Sequence, residues 1–534
     1  MRLWWGRAGL LCAVLVLAGA APAQARLLDN LLKPQRHPGV NTPPRYENPV
    51  LSGDYPDPSV IHTSDGWWAV VTSAGWRPPF SILHSADLVN WHVAGKVLRR
   101  RPRWARTDFW APEIVRQGNR FLVYYAARNR RGRFCVGVAS SRRVQGFYRD
   151  EGPLVCPALG AIDPLPVRDE AGRPNLLWKE DGNARGRPTP IMGAPLSPDG
   201  RELAGTPREL LRNDRSWEGG VVEAPTLTRH DGRFYLLYSA GACCGPNCTY
   251  VTGVARSPTL YGRWEKYAGP VLASNAAFRC PGHGSVVDGP AGTQFFIYHA
   301  YSVSEPLLVG RQLLLDKLDW TQAGWPIVNG RAGPSGTALS PLQRRQRVRR
   351  PPVKDEFTDR WLGPGWQWPT DRPRLRLSRR NGGRLVIGLA RAKDELLPGA
   401  AGRQPSAADY TAATTIGRRT PGARPGLAVY AARRVQLGIE LRGSRVVLWR
   451  STRRGEHALA SAPAPRAGQT VLRLKVEDGR WFTFQVGMPG GWRTVGPSGY
   501  QPPFWLATPR VVLRVQGNRR DRAAFERFSL VASG

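Results

Sequence analysis

The sequence predicts an all-β protein, a five-bladed β-propeller followed by a β-sandwich. Three observations carry that expectation. Turn formers and aromatics are abundant, with 59 Gly, 48 Pro and 20 Trp in 534 residues, and no long helical period follows residue 30. One phrase recurs five times at a spacing of about 50–60 residues. After a basic, proline-containing stretch at 343–353 the pattern changes to short alternating segments separated by turns. At this length two domains are expected, because a single core stops growing well below it.

The repeated phrase runs from a short strand through a turn into an aromatic-rich strand. Its five copies are DPSVIHTSDGWWAVVTSA (57–74), APEIVRQGNRFLVYYAA (111–127), DPLPVRDEAGRPNLLWKE (163–180), APTLTRHDGRFYLLYSA (224–240) and HGSVVDGPAGTQFFIYHAY (283–301). Turn dipeptides such as Asp-Gly and Gly-Asn mark each as a hairpin. Further strands follow, as in ILHSADLVNWHVAG and TGVARSPTLYGRWEKYAG. Units of about four antiparallel strands, repeated at this spacing, are blades. The expected propeller spans 48–341, after an N-terminal linker at 26–47.

In a propeller the inner strands line one channel, so equivalent positions converge there. Those positions hold Asp57, Ala111 (after Trp110), Asp163, Ala224 (after Glu223) and His283. Three carboxylates, a Trp and a His are therefore expected at one mouth. Packing does not account for them, because buried unpaired charge is costly.

The second domain is expected at 354–534, after a basic linker at 342–353. Segments such as RLVIGLA, GLAVYAA, RVVLWRS and TVLRLKVEDGRWFTFQV alternate as strands of a two-sheet sandwich with roughly a dozen strands.

The chain's first 25 residues read as a secretory signal peptide. Arg2 and Arg7 precede an apolar run from Ala8 to Ala21, and Ala23-Gln24-Ala25 has the small-x-small pattern of a cleavage site. No later segment is long and apolar enough to span a membrane. The expected location is secreted or periplasmic. One of seven cysteines, Cys12, lies in that leader, and the other six point to disulfides in an oxidising compartment. CCGPNC (243–248) fits no common zinc spacing well, and six cysteines leave fifteen pairings open.

The formal net charge is +37. It suits an acidic partner, but the surplus is mostly Arg spread along the whole chain, and no helix-turn-helix, zinc-finger or RNA-binding motif accompanies it. No nucleic-acid role is expected.

On these motifs the chain resembles glycoside hydrolase family 43 from Asn48 to about Pro341. NPVLSGDYPDPSVI, DFWAPEI, AIDP, VVEAP, CPGHGSVV and VGRQLLLDKLDW resemble that family's blade phrases, in order and at blade spacing. DEFTDRWLGPGWQWP and YTAATTI resemble the concanavalin-like C-terminal sandwich of its β-xylosidase-type members. The resemblance implies Asp57 as general base, Glu223 as general acid and Asp163 as the carboxylate that orients Glu223 and raises its pKa. It also implies substrate contacts for Trp110, His283 and Arg311, and more loosely for Trp76. No cofactor is implied as necessary, although a structural calcium ion in the channel near His283 would fit such members.

The chemistry agrees. Glycoside hydrolysis needs one carboxyl protonated and one ionised, and an inverting enzyme spaces them about 6.5–9.5 Å apart to admit a water. Glu218, in WEGGVVEAP, is the rival acid, but only Glu223 holds the repeat-equivalent place. Glu113 lies out of phase with Trp110 and reads as structural. The expected function is inverting hydrolysis of α-L-arabinofuranosyl or β-D-xylosyl linkages in plant cell-wall glycans by a monomer. The alternatives are an arabinan- or galactan-cleaving enzyme of the same fold and a non-catalytic carbohydrate-binding propeller.

Overall fold

A computed structural model describes residues 43–533, apart from 348, 349, 351, 380, 381, 393, 394, 433, 453, 467, 468 and 500–507. The leader expected at 1–25 lies outside the described residues. No described helix is long and apolar enough to cross a membrane.

Five four-stranded antiparallel sheets follow one another along the chain. They open with Ser59–Thr63, Ala105–Gln117, Ala161–Arg168, Val222–His230 and Phe278–Asp288, each paired to the strand after it. These are the five predicted blades. Their second strands are apolar on both faces because each blade is covered by its neighbours. Gly66–Val71 is buried throughout, and so are seven of the eight residues of Arg233–Ala240. An apolar cluster fills every blade junction. Trp67 and Leu83 meet Ile297 and Leu315 between blades one and five, which closes the ring. The other junctions are packed by Trp68 with Tyr125, Tyr124 with Trp178, Leu177 with Leu236, and Tyr235 with Tyr298.

A short ribbon reinforces the closure. Arg45–Glu47 pairs antiparallel with Thr337–Leu339, so residues assigned from sequence to the N-terminal linker are part of the propeller. Asn48 then donates from Nδ2 to Leu315 O (2.9 Å) and accepts from Leu315 N–H (3.0 Å).

The C-terminal region is a sandwich of an eight-stranded and a six-stranded sheet. Its strands alternate, as in Thr470–Glu477, where Thr470, Leu472, Leu474 and Val476 point inward. The inner faces share a core including Leu427, Leu448, Phe484, Val511 and Phe525. The sandwich packs on the propeller through a polar seam. Arg77 and Trp368 exchange backbone hydrogen bonds at 2.9 Å, and Asp371 pairs with Arg77 (3.0 Å) and Arg101 (2.6 Å). Within the basic linker, Gln346 bonds to Glu47 and the Arg347 N–H to Asn90.

Candidate active site

The residues aligned by the sequence repeat share one backbone conformation. Asp57, Ala111, Asp163, Ala224 and His283 have φ of 57°, 45°, 53°, 53° and 44°. Left-handed conformation costs a residue other than glycine about 1–3 kcal/mol, so the surrounding structure must hold it. In blades two to five the ladder shifts register at this point, between Trp110 and Glu113, Ile162 and Leu165, Glu223 and Thr226, and Gly282 and Ser285. The kink turns the strand end inward. Four of these pivots donate their N–H to a side chain of the preceding blade. Ala111 bonds to Thr72 (2.7 Å), Ala224 to Asp163 (2.8 Å), His283 to Ser239 (2.9 Å) and Asp57, around the ring, to His299 (3.1 Å). Next to His283, a Cβ on Gly284 would run into the Ile297 carbonyl, so the channel wall needs glycine there.

Asp57 faces a guanidinium and two imidazoles. Arg311 Nη1 donates to its Oδ1 at 2.9 Å, and the Nδ1 atoms of His283 and His299 lie 3.4 and 3.3 Å from the same oxygen. Burial pushes the Asp57 carboxyl up, but Arg311, His283 and His299 outweigh it and hold it well below the usual carboxylate range. His299 is itself pushed down to about 4, mainly by burial and then by Arg311. Asp57 is therefore ionised at neutral pH.

Glu223 and Asp163 form a different setting. Lys179 Nζ donates to Glu223 Oε2 at 2.8 Å and contacts Asp181 at 3.1 Å, and Tyr250 OH donates to Glu223 Oε1 at 2.9 Å. Burial raises Glu223, yet Lys179 and Tyr250 bring it below its ordinary value. Asp163 moves the other way, to about 7, through burial and then the charge of Glu223, against the pull of His283 and Lys179. The resemblance implied that Asp163 would raise Glu223. The two carboxyls interact, so the raised value belongs to the pair, which retains a proton beside the Lys179 cation.

The remaining expected residues divide. Trp110 is half-buried against Phe134 at 4.5 Å, in a cluster with Ile162, beside Asp163. Trp76, expected as a substrate wall, is instead enclosed by sandwich residues. It packs with Ala400, Ala428, Trp449 and Val512, edge-on to Tyr430, because its loop is anchored through Arg77 to Trp368. Glu218 is fully buried away from such a role: Lys266 (2.7 Å) and Tyr238 (2.6 Å) hold it, and it caps the backbone at Asp214 and Arg215. Glu113 accepts from Ser59 at 2.5 Å and is pushed up to about 8 by burial.

Lys179, Tyr250 and His299 escaped the sequence reading. Lys179 left a trace, a cation ending the apolar strand NLLWKE. Tyr250 lies two residues after the cysteine cluster. That cluster is built of disulfides, Cys243–Cys244 and Cys248–Cys280, with Cys135–Cys156 elsewhere, so all six are paired. The Cys248 bridge joins the loop carrying Tyr250 to the strand of His283.

Among the described residues no group of three or more His, Cys, Asp or Glu side chains is placed to hold a metal. The donors around His283 do not suit calcium, which takes six to eight oxygens: they are two imidazoles and a carboxylate already bound to Arg311. What the site does offer is one fixed carboxylate and one carboxyl pair retaining a proton. That is the equipment of acid–base hydrolysis.

Comparison with known proteins agrees with this geometry. The Xylosidase/arabinosidase 43B of Humicola insolens is 26% identical over 316 residues, which are 55% of this chain and 56% of that protein. This chain thus spans little more than half the length of that relative. The extracellular endo-α-(1→5)-L-arabinanase 1 of Bacillus subtilis is 27% identical over 51% of this chain and 86% of its own. Among solved structures, GH43B of a Bacteroides ovatus xyloglucan locus superposes with a TM-score of 0.78 at 19% identity, over 92% of this chain and all of that one. BlXynB of Bacillus licheniformis gives 0.76 at 22% over the same shares, and both extend the likeness of fold into the sandwich. The profile of glycosyl hydrolases family 43 matches residues 46–326, more than half of the sequence and the whole ring of pivots, and the chain belongs to that family.

Proposed function

We propose that the chain is a secreted, inverting glycosidase that releases α-L-arabinofuranosyl or β-D-xylosyl units from plant cell-wall glycans. The observation that carries this is the contrast in proton state: Asp57 is held ionised, while the Asp163–Glu223 pair keeps a proton up to about pH 7. Asp57 takes a proton from a water as the water oxygen bonds to the anomeric carbon. Glu223 gives a proton to the glycosidic oxygen as that bond breaks. Asp163 and Glu223 share this proton in the free site, and it passes to Glu223 when the sugar enters. Arg311 and His283 fix the orientation of Asp57, and Trp110 offers an apolar face to the sugar. No step needs a metal.

The names of the xylosidase/arabinosidase and arabinanase relatives support the sugar class, and the extracellular arabinanase and the three disulfides support secretion. The test is a panel of nitrophenyl pentosides and cell-wall polysaccharides, with the product anomer followed by NMR. Release of pentose with inverted configuration is expected. Retention would overturn the mechanism, cleavage confined to galactan would overturn the sugar, and no hydrolysis of any substrate would favour a binding propeller.

A further inference from the structure

Away from the channel, the outer edges of blades one and two and the entry to the sandwich enclose a groove of about 1030 Å³. The propeller contributes Arg99, Arg100 and Phe147, and the other wall contributes Arg360, Trp361 and Arg376. None of the channel residues lines it, and no described Asp or Glu does. Its four arginines are exposed. Trp361 is 73% exposed and Phe147 52%, a large apolar area for two rings to leave in water. Each carries a guanidinium over one face, Arg360 at 5.4 Å from the Trp361 ring and Arg99 at 4.4 Å from Phe147.

This combination selects a ligand chemistry. Flat aromatic faces receive the C–H face of a pyranose ring. Guanidinium groups bind planar carboxylates in a two-pronged fashion. A neutral glycan would use the rings and leave the cations unpaired. We infer that the groove is a second carbohydrate site, which holds a uronic-acid-bearing glycan chain while the channel works on linkages elsewhere in the same polymer. The inference rests on the family reading of a glycan-acting protein but not on which sugar the channel cleaves. It also gives part of the +37 charge a specific use.

The test reads binding by calorimetry, apart from turnover, so an error in the catalytic assignment leaves it intact. The probes are an oligogalacturonate and a glucuronate-substituted xylo-oligosaccharide, each beside its neutral methyl ester. The full chain is expected to bind at least one acidic probe, and its ester about tenfold or more weaker. Trp361→Ala, and Arg99→Glu with Arg360→Glu, should each weaken that binding by about tenfold or more at unchanged Tm and unchanged nitrophenyl-glycoside hydrolysis. A charge-matched control at distant exposed sites, Arg233→Glu with Arg418→Glu, should keep affinity within about threefold. Absence of binding to both acidic probes overturns the inference, as does equal binding of the esters or equal loss in the control. Tighter binding of a single-stranded oligonucleotide through Trp361 and Arg99 would assign the groove to nucleic acid instead.

Discussion

Asp57 and Asp163 are the same residue type, at equivalent pivots, each 6% exposed, yet they are driven in opposite directions. Burial therefore does not decide their proton state. What differs is the balance of charge. Around Asp57 one carboxylate faces Arg311 and two imidazoles. Around Asp163 and Glu223 two carboxyls, with Asp181 nearby, share the single cation of Lys179. One side of the channel is short of negative charge and stays ionised; the other has too much and retains a proton. A base and an acid result from the same backbone position in two blades.

The largest test of this contrast separates the two sides by leaving group. Asp57→Asn should lower kcat/KM about 10³–10⁴-fold on every substrate, since water activation is always required. Glu223→Gln should cost a similar factor on sugar leaving groups but less than about tenfold on dinitrophenyl glycosides, which depart without a proton. Equal losses of Glu223→Gln on both would break the assignment of the acid.

A smaller effect follows from the lone cation. The wild-type pH profile of kcat/KM should fall above about 7, where the Asp163–Glu223 pair loses its proton. Lys179→Met removes the charge that favours ionisation, so this limb should move up by about 1–3 pH units. An unmoved limb would show that another group sets it.

The smallest effect is on stability. Asp163 is raised in the folded chain, so between about 4 and 7 the native state holds a proton that the unfolded chain has released. Stability from this group is thus lost as pH rises through that window. Asp163→Asn removes the slope and should gain on the order of 2 kcal/mol over the wild type at pH 8 relative to pH 5, by urea unfolding. Asp57 has the reverse sign: its contribution is present above about pH 4 and is lost only in acid, as pH falls toward its lowered native value.

Much of this was legible in the sequence because blades repeat. Aligning the five phrases placed the pivots, distinguished Glu223 from Glu218 and located the inner strands. Two of the partners were not legible because they arrive across blades. Lys179 is 44 residues from Glu223, and His299 is 242 from Asp57. With Lys179 unseen, the lowering of Glu223 by its ammonium was not foreseen. Trp76 was misjudged for a related reason. An aromatic after a blade hairpin faces either ligand or protein, and what meets it is Ala428, Trp449 and Val512 of the second domain.

The shared left-handed pivot has a consequence for how such a ring changes over generations. Four of the five pivots sit at a kink of their strand, and four are held by a hydrogen bond from their own N–H. The residue there can be exchanged without rebuilding the chain path. Alanine, aspartate and histidine already occupy the same φ within 13° in this molecule. The ring behaves as five interchangeable sockets, so new chemistry can be tried one side chain at a time on a scaffold that need not refold to accept it.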